Sequence, residues 1–334
     1  MAQHRKSDLL DIIVQSIRDC NWNVLYIGDI REHPFLLKAY NNDSDKSYLI
    51  RVYIWNLTHG GGAKRPVDEY RVQITGVKRF ERFQGEKTLI LGWWDAGKVF
   101  AGFDFIRHSG KLGFSPSIQI REEALRKAHI NGIATMNKGN NEIAVAFRSD
   151  FFIHYVESLE GIHNFGESDD DYEILERILE STDKINDRLI EQVSPPRKTV
   201  ATTINRKLRD ISFKSRVLTA YGFECAFCGI QLKLVDAAHI VPVSHPNNSD
   251  ETCNGISLCA LHHRALDKAL VTLNEAYQII MNDKELTKLK KSGHDGEMTR
   301  FLKDLKPIIT VPSSVNDRPH IDYIKQANHI RGWF

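Results

Sequence analysis

Two short cysteine-bearing knuckles in the last third of the chain limit its folding more than any other feature. Cys225-Ala-Phe-Cys228 is followed, 31 residues after its second cysteine, by Cys259-Ala-Leu-His262. Each knuckle presents two soft donors on a tight turn, and four such donors suit one closed tetrahedral zinc site. Gly229 follows the first knuckle, where the turn requires a residue without a β-carbon. The competing reading is ordinary buried thiols with a helix that carries Cys259 and His262 by coincidence. Of the five cysteines, Cys20 stands apart and Cys253 fits neither knuckle, so Cys253 reads as a core residue.

A shared ion would close residues 229–258 into a loop, and that loop is rich in polar groups. It holds Asp236-Ala-Ala-His239-Ile-Val-Pro242 and Asn254-Gly255-Ile-Ser-Leu258, and His263 stands next to His262 just beyond it. The run AAHIVP followed by NGISLCALHHRALD resembles the ββα-metal core of HNH endonucleases, in the branch with an Ala-Ala-His-Ile motif found in bacterial restriction and phage-defence proteins. The resemblance covers about Phe213 to Leu273. The phosphodiester hydrolysis it implies needs water activated near neutral pH, a task matched to imidazole, and a divalent cation to offset charge on the phosphate and the departing 3′ oxygen. His239 is then expected to be the general base and His263 the first ligand of that cation. The resemblance implies a catalytic set of His239, Asn254 and His263, with Asn254 tying the loop so that His239 faces the scissile phosphate. It also implies a catalytic Mg2+ or Mn2+ beside the structural Zn2+. In the family pattern a cysteine directly precedes the last catalytic histidine. His262 occupies that place here and is assigned to the zinc, although the two histidines could exchange roles.

One position departs from the pattern. Many family members carry an Asp or His directly before the general base, and this chain has Ala238. Three completions of the metal shell remain open: Asp267, four residues after His263 on the same helix face; Asp236 on the preceding strand, which alternation turns away from His239; or His263 alone with water and phosphate oxygens. Arg264 is a candidate for gripping a phosphate, while His245 reads as a solvated loop residue.

The rest of the chain reads as a second domain. With 334 residues, two domains are the natural expectation, since single cores seldom grow past roughly 250–300 residues. Residues 6–20 fit an amphipathic helix. Short β-branched and aromatic runs follow at Asn23–Ile27, Ser47–Ile54, Glu69–Ile74, Thr88–Trp93, Val99–Phe105 and Glu142–Phe147, interrupted by a helix near Arg121–His129. The expected fold class is α+β: residues 1–165 a mainly antiparallel DNA-recognition domain, 166–200 a helical linker ended by Pro195 and Pro196, and 201–334 the zinc-stabilised nuclease domain. Net charge is only +2, so any affinity for nucleic acid must come from local patches. One is the basic arm containing Arg206 and Lys207, which reads equally as a solvated helix face. Another is the loop Gly60-Gly61-Gly62 with Lys64 and Arg65, for which a hairpin tip is the simpler reading. Trp55, Trp93, Trp94 and Phe105 could stack on an extruded base, but aromatics in strands are more often core. Asp68, Glu69 and Gln73 lack the lysine that would make a second nuclease site.

The amino-terminal residues lack the apolar core of a signal peptide, and no run approaches the ~18 apolar residues of a membrane span. A cytoplasmic protein with reduced thiols and no membrane partner is expected. The leading function is a restriction-type endonuclease acting on double-stranded DNA. Double-strand cutting from a single site favours a homodimer, and the resemblance implies a cognate DNA methyltransferase as companion. Two other readings stand: a zinc-stabilised DNA-binding module with a degenerate site, kept open by Ala238, and a nuclease licensed by a small nucleotide signal.

Overall fold

Large apolar residues fill both faces of the strands at 46–59, 86–103 and 142–148, so a sheet built from them must be covered on both sides. The computed structural model describes residues 3–31, 33–42, 44–60, 66–180 and 187–333. The chain divides into two units, Met1–Leu208 and Arg209–Phe334. Gly61, Gly62, Lys64 and Arg65 lie outside the described residues.

The first unit runs α1 (Lys6–Asp19), β1 (Asn23–Tyr26), β2 (Phe35–Asn41), β3 (Lys46–His59), β4 (Glu69–Gln73), β5 (Glu86–Trp94), β6 (Val99–Phe103), α2 (Phe105–His108), β7 (Ser117–Arg121), α3 (Glu122–Asn131), β8 (Ile133–Gly139), β9 (Glu142–Arg148), α4 (Phe152–His163), α5 (Asp169–Glu180), α6 (Asp187–Gln192) and most of α7 (Pro195–Ala220). Among the described residues the strands pair in the order β1-β2-β3-β5-β6-β9-β8, with β4 attached to β3 and β7 to β4. The pairings are antiparallel except that of β3 with β5, which is parallel.

Strand alternation explains the two-sided cover. Val99, Ala101 and Phe103 join a core with Ala124, Leu125 and Ala128 of α3. The intervening residues face α4: Phe100 meets Phe152 at 5.3 Å between ring centroids, and Phe147 of β9 stacks on Tyr155 at 4.3 Å. Gly102 lies on this face because an added β-carbon would fall 2.3 Å from the Tyr155 hydroxyl. Trp55, Trp93 and Trp94 are buried within these layers, so none of the three indoles is open to stack on a base.

The acidic start of α5 leads into a buried stripe of Tyr172, Leu175, Ile178 and Leu179. Asp171 receives the Ser194 amide at 2.9 Å and Arg197 at 3.0 Å. The described residues of 166–200 therefore pack as part of the first unit, and the apolar stripe of α5 is buried within it. Pro195 and Pro196 open α7, where the missing N–H groups cost no helical hydrogen bond.

The second unit holds the end of α7, then β10 (Val235–His239), β11 (Gly255–Cys259), α8 (Ala260–Asp267), β12 (Val271–Leu273), β13 (Ile279–Met281), α9 (Asp283–Lys291), α10 (Met298–Asp304) and α11 (Ile321–Ile330). β10 and β11 pair antiparallel, from Val235 opposite Cys259 to His239 opposite Gly255. Their buried faces form a core with Val217, Phe227, Leu266 and Ile324, drawn from α7, the first knuckle, α8 and α11.

Candidate active site and metal centre

The two knuckles meet. The first is a tight turn closed by the Gly229 amide on the Cys225 carbonyl at 2.7 Å, with Gly229 at φ +82°, and the Ala226 amide ties it to Ser257 of β11 at 2.8 Å. The second begins at the last residue of β11 and continues into the first turn of α8. Donor atoms of Cys225, Cys228, Cys259 and His262 lie within 4.8 Å of one another. His262 is buried between the rings of Phe227 and Phe301, and its Nδ1 lies 3.4 Å from Cys225 Sγ and 3.3 Å from Cys259 Sγ. Three thiols so close cannot all ionise unless a cation sits among them. Burial pushes the Cys228 thiol up to about 12 and the Cys259 thiol upward. These donors fit zinc in type, number and spacing.

Within this frame His239 ends β10. Its ring stacks on Phe213 of α7, centroids 3.8 Å apart and 12° from parallel. Gly255 lies opposite His239, and a β-carbon there would meet Val217 Cγ2 at 2.2 Å and Phe213 Cζ at 2.9 Å, so α7 can approach only a glycine. Asn254 is fully buried and its amide is saturated: Oδ1 accepts from the Val241 amide at 2.9 Å, and Nδ2 donates to Ser249 O at 2.7 Å and Asn248 Oδ1 at 3.1 Å. Its carbonyl accepts from the Ile240 amide at 2.8 Å. Asn254 thus joins the strand end after His239 to the loop at 248–249.

His263, beside the buried His262, is partly exposed, with Nε2 3.8 Å from Asp267 Oδ2 one helical turn on. Asp236 is engaged elsewhere: its Oδ1 lies 3.1 Å from Lys214 Nζ. Among the described residues the Cys3His set is the one grouping of three or more His, Cys, Asp or Glu donors close enough to share an ion. Arg264 faces a cleft shared with Lys268, Arg300 and Phe301. Arg206 is exposed and Lys207 half-buried, both in the first unit. Cys253 lies outside the thiol cluster.

Of the three residues that surround His239, Asp250 escaped the sequence reading, while Arg209 and Arg216 belong to the basic arm read there as a phosphate-binding or solvated helix face. Asp250 Oδ1 lies 3.0 Å from His239 Nε2, Arg209 pairs with Asp250 Oδ2, and Arg216 donates to the Asp250 carbonyl at 2.6 Å. Hydrogen bonding from His239, with the positive charge of Arg209 added and burial opposing, holds the Asp250 carboxyl below its usual range. Arg209, Phe213 and Arg216 recur at helical spacing, a stripe visible in the sequence. Nothing there distinguishes Asp250 from its neighbour Glu251. From the far end of the chain, Tyr323 reaches Ser249 at 3.0 Å and Glu251 at 2.5 Å, and Arg331 donates to the Ile240 carbonyl at 2.9 Å.

A pair of antiparallel strands and a helix, interleaved with a Cys3His cluster, is the architecture of a ββα nuclease core. Residues 225–274 match the family model described as HNH endonuclease, and residues 48–156 match one described as Methylase-associated X1. The chain carries an HNH domain, of the metal-dependent nuclease class, in its second unit and a methylase-associated X1 domain in its first. No curated protein matches the sequence. A solved structure described as a modification dependent TagI restriction endonuclease aligns over 83% of this chain and 80% of that one, at 11% identity and a TM-score of 0.28, too low to support an architectural comparison. No described helix is long and apolar enough to cross a membrane.

Proposed function

We propose that the protein is a restriction-type DNA endonuclease that hydrolyses phosphodiester bonds at His239, with the first unit selecting the target. The observation that carries this reading is the placement of His239 and Asn254 between the two knuckles, His239 at the end of β10 and Asn254 directly before β11, on a strand pair that leads into the helix bearing His263. His239 takes a proton from water, whose oxygen attacks phosphorus. The bond from phosphorus to the 3′ oxygen breaks, and solvent returns a proton to that oxygen. A single divalent cation, Mg2+ or Mn2+, would be held by His263 with Asp267 beside it, and supplies Lewis acidity against the charge on the phosphate. Asp236 is a poor ligand candidate because Lys214 already pairs with it. A shell with few protein donors suits Mg2+, which keeps several of its waters.

Double-stranded DNA is the proposed substrate, and two copies would supply one site per strand. The methylase-associated match supports a cognate methyltransferase as companion. Plasmid cleavage with Mg2+ or Mn2+, on matched methylated and unmethylated DNA with the products sequenced, tests the assignment. His239→Ala should reduce the rate by about 10²–10⁴-fold, the usual contribution of a general base. Cleavage that survives this substitution would remove His239 as the base. DNA binding without cleavage by the unaltered protein would favour the degenerate binding module that Ala238 keeps open.

A further inference from the structure

His239 is held by a carboxylate whose other oxygen is already committed. Asp250 Oδ1 meets His239 Nε2 at 3.0 Å, and Asp250 Oδ2 is paired with Arg209. All three side chains are largely buried, at 16%, 14% and 21% exposure for His239, Asp250 and Arg209. The loop that carries Asp250 is fixed from several sides: Arg216 on the Asp250 carbonyl, Asn254 on Ser249 O, and Tyr323 on Ser249 Oγ. Among the described residues Nδ1 of His239 has no hydrogen-bond partner. An ionised carboxylate only accepts hydrogen bonds, so a neutral His239 must carry its proton on Nε2 and leave the lone pair on Nδ1.

We propose that Asp250, locked by Arg209, is the positioning residue of the site and selects the tautomer in which Nδ1 of His239 accepts the proton from water. This inference rests on His239 being the general base. The locking makes a distinctive demand on substitution. In Asp250→Asn the guanidinium, which only donates, would hold the amide oxygen and turn the amide NH2 toward His239. Nε2 then becomes the acceptor, the proton moves to Nδ1, and the reactive atom is blocked. Asp250→Ala removes the hydrogen bond but imposes no wrong tautomer. A merely structural role predicts the opposite order, with the near-isosteric Asn the milder change.

The test combines histidine-selective 15N NMR of the zinc-loaded full chain with single-turnover cleavage, the His239 signals being assigned by their loss in His239→Ala. The expected result is an Nε2–H tautomer in the unaltered protein and Nδ1–H in Asp250→Asn. That variant should lose on the order of 10²–10⁴ in rate, comparable to other enzymes whose histidine is turned to the wrong tautomer. Asp250→Ala should lose less. Adding Arg209→Leu to Asp250→Asn frees the amide to turn its oxygen to His239 and should recover part of the rate. An unchanged tautomer in Asp250→Asn, or a larger loss in Asp250→Ala, overturns the proposal. Failure of the underlying nuclease reading is a separate outcome, seen as cleavage that survives His239→Ala, and it leaves the tautomer measurement intact.

Discussion

Asn254 and Gly255 differ in kind although they are neighbours. Asn254 acts through hydrogen bonds: its buried amide satisfies the Val241 N–H and two acceptors of the 248–249 loop. Asn254→Ala leaves those groups buried and unpaired, which should lower the stability of the second unit by about 2–3 kcal/mol in urea unfolding. Gly255 acts through space, since its missing β-carbon admits Phe213 and Val217. Gly255→Ala should cost about 1–3 kcal/mol by overpacking and displace Phe213 from the His239 ring, so cleavage should fall more than stability does. Read in the sequence, the pair signals only a turn. Its two functions come from what packs against it.

At the scale of elements, the knuckles matter most because an ion held by the Cys3His set would tie the turn before β10 to the start of α8. A structural zinc contributes folding free energy directly, so chelation should unfold the second unit. The expected stoichiometry is one zinc per chain by elemental analysis, falling below one in Cys228→Ala, with far-UV circular dichroism reporting the lost structure. Full helical signal after complete zinc removal would contradict this role. In the first unit, strands with strong β-branched runs were legible, while β2, β7 and β8 were not. β8 carries Asn, Lys and Gly residues that read as loop, and it becomes a strand by pairing with β9 across the Asn140-Asn141 turn. The parallel pairing of β3 with β5 leaves no local mark, because register between distant strands is set by packing.

For the molecule as a whole, acid should act on the first unit through two glutamates. Hydrogen bonds from His154 and Lys46 draw Glu157 from 4.5 down to about 2. Burial opposes the same fall at Glu142, but His108 and Lys138 prevail and bring it to about 2. A carboxyl that binds its proton more weakly when folded stabilises the fold fully above the unfolded value, near 4.5 here, and loses that stabilisation as pH falls toward 2. Thermal unfolding of the first unit should therefore weaken between about pH 4.5 and 2, and Glu142→Gln should flatten that dependence.

Taken alone, the sequence determined the α+β class, the two knuckles, and the polar triplet His239, Asn254 and His263 between and beside them. These are set by residue type at short spacing, which local chain geometry converts directly into turns, strand faces and helix faces. Only the tertiary structure decided the packing of the described residues of 166–200 into the first unit, the burial of the tryptophans, the pairing of Asp236 with Lys214, and the meeting of His239 with Asp250 and Phe213 and of Asp250 with Arg209. Those contacts join residues 11 to 41 positions apart or depend on which helix face is covered. No local periodicity encodes them. They exist because core packing brings α7 against Gly255 and leaves one carboxylate within reach of the histidine.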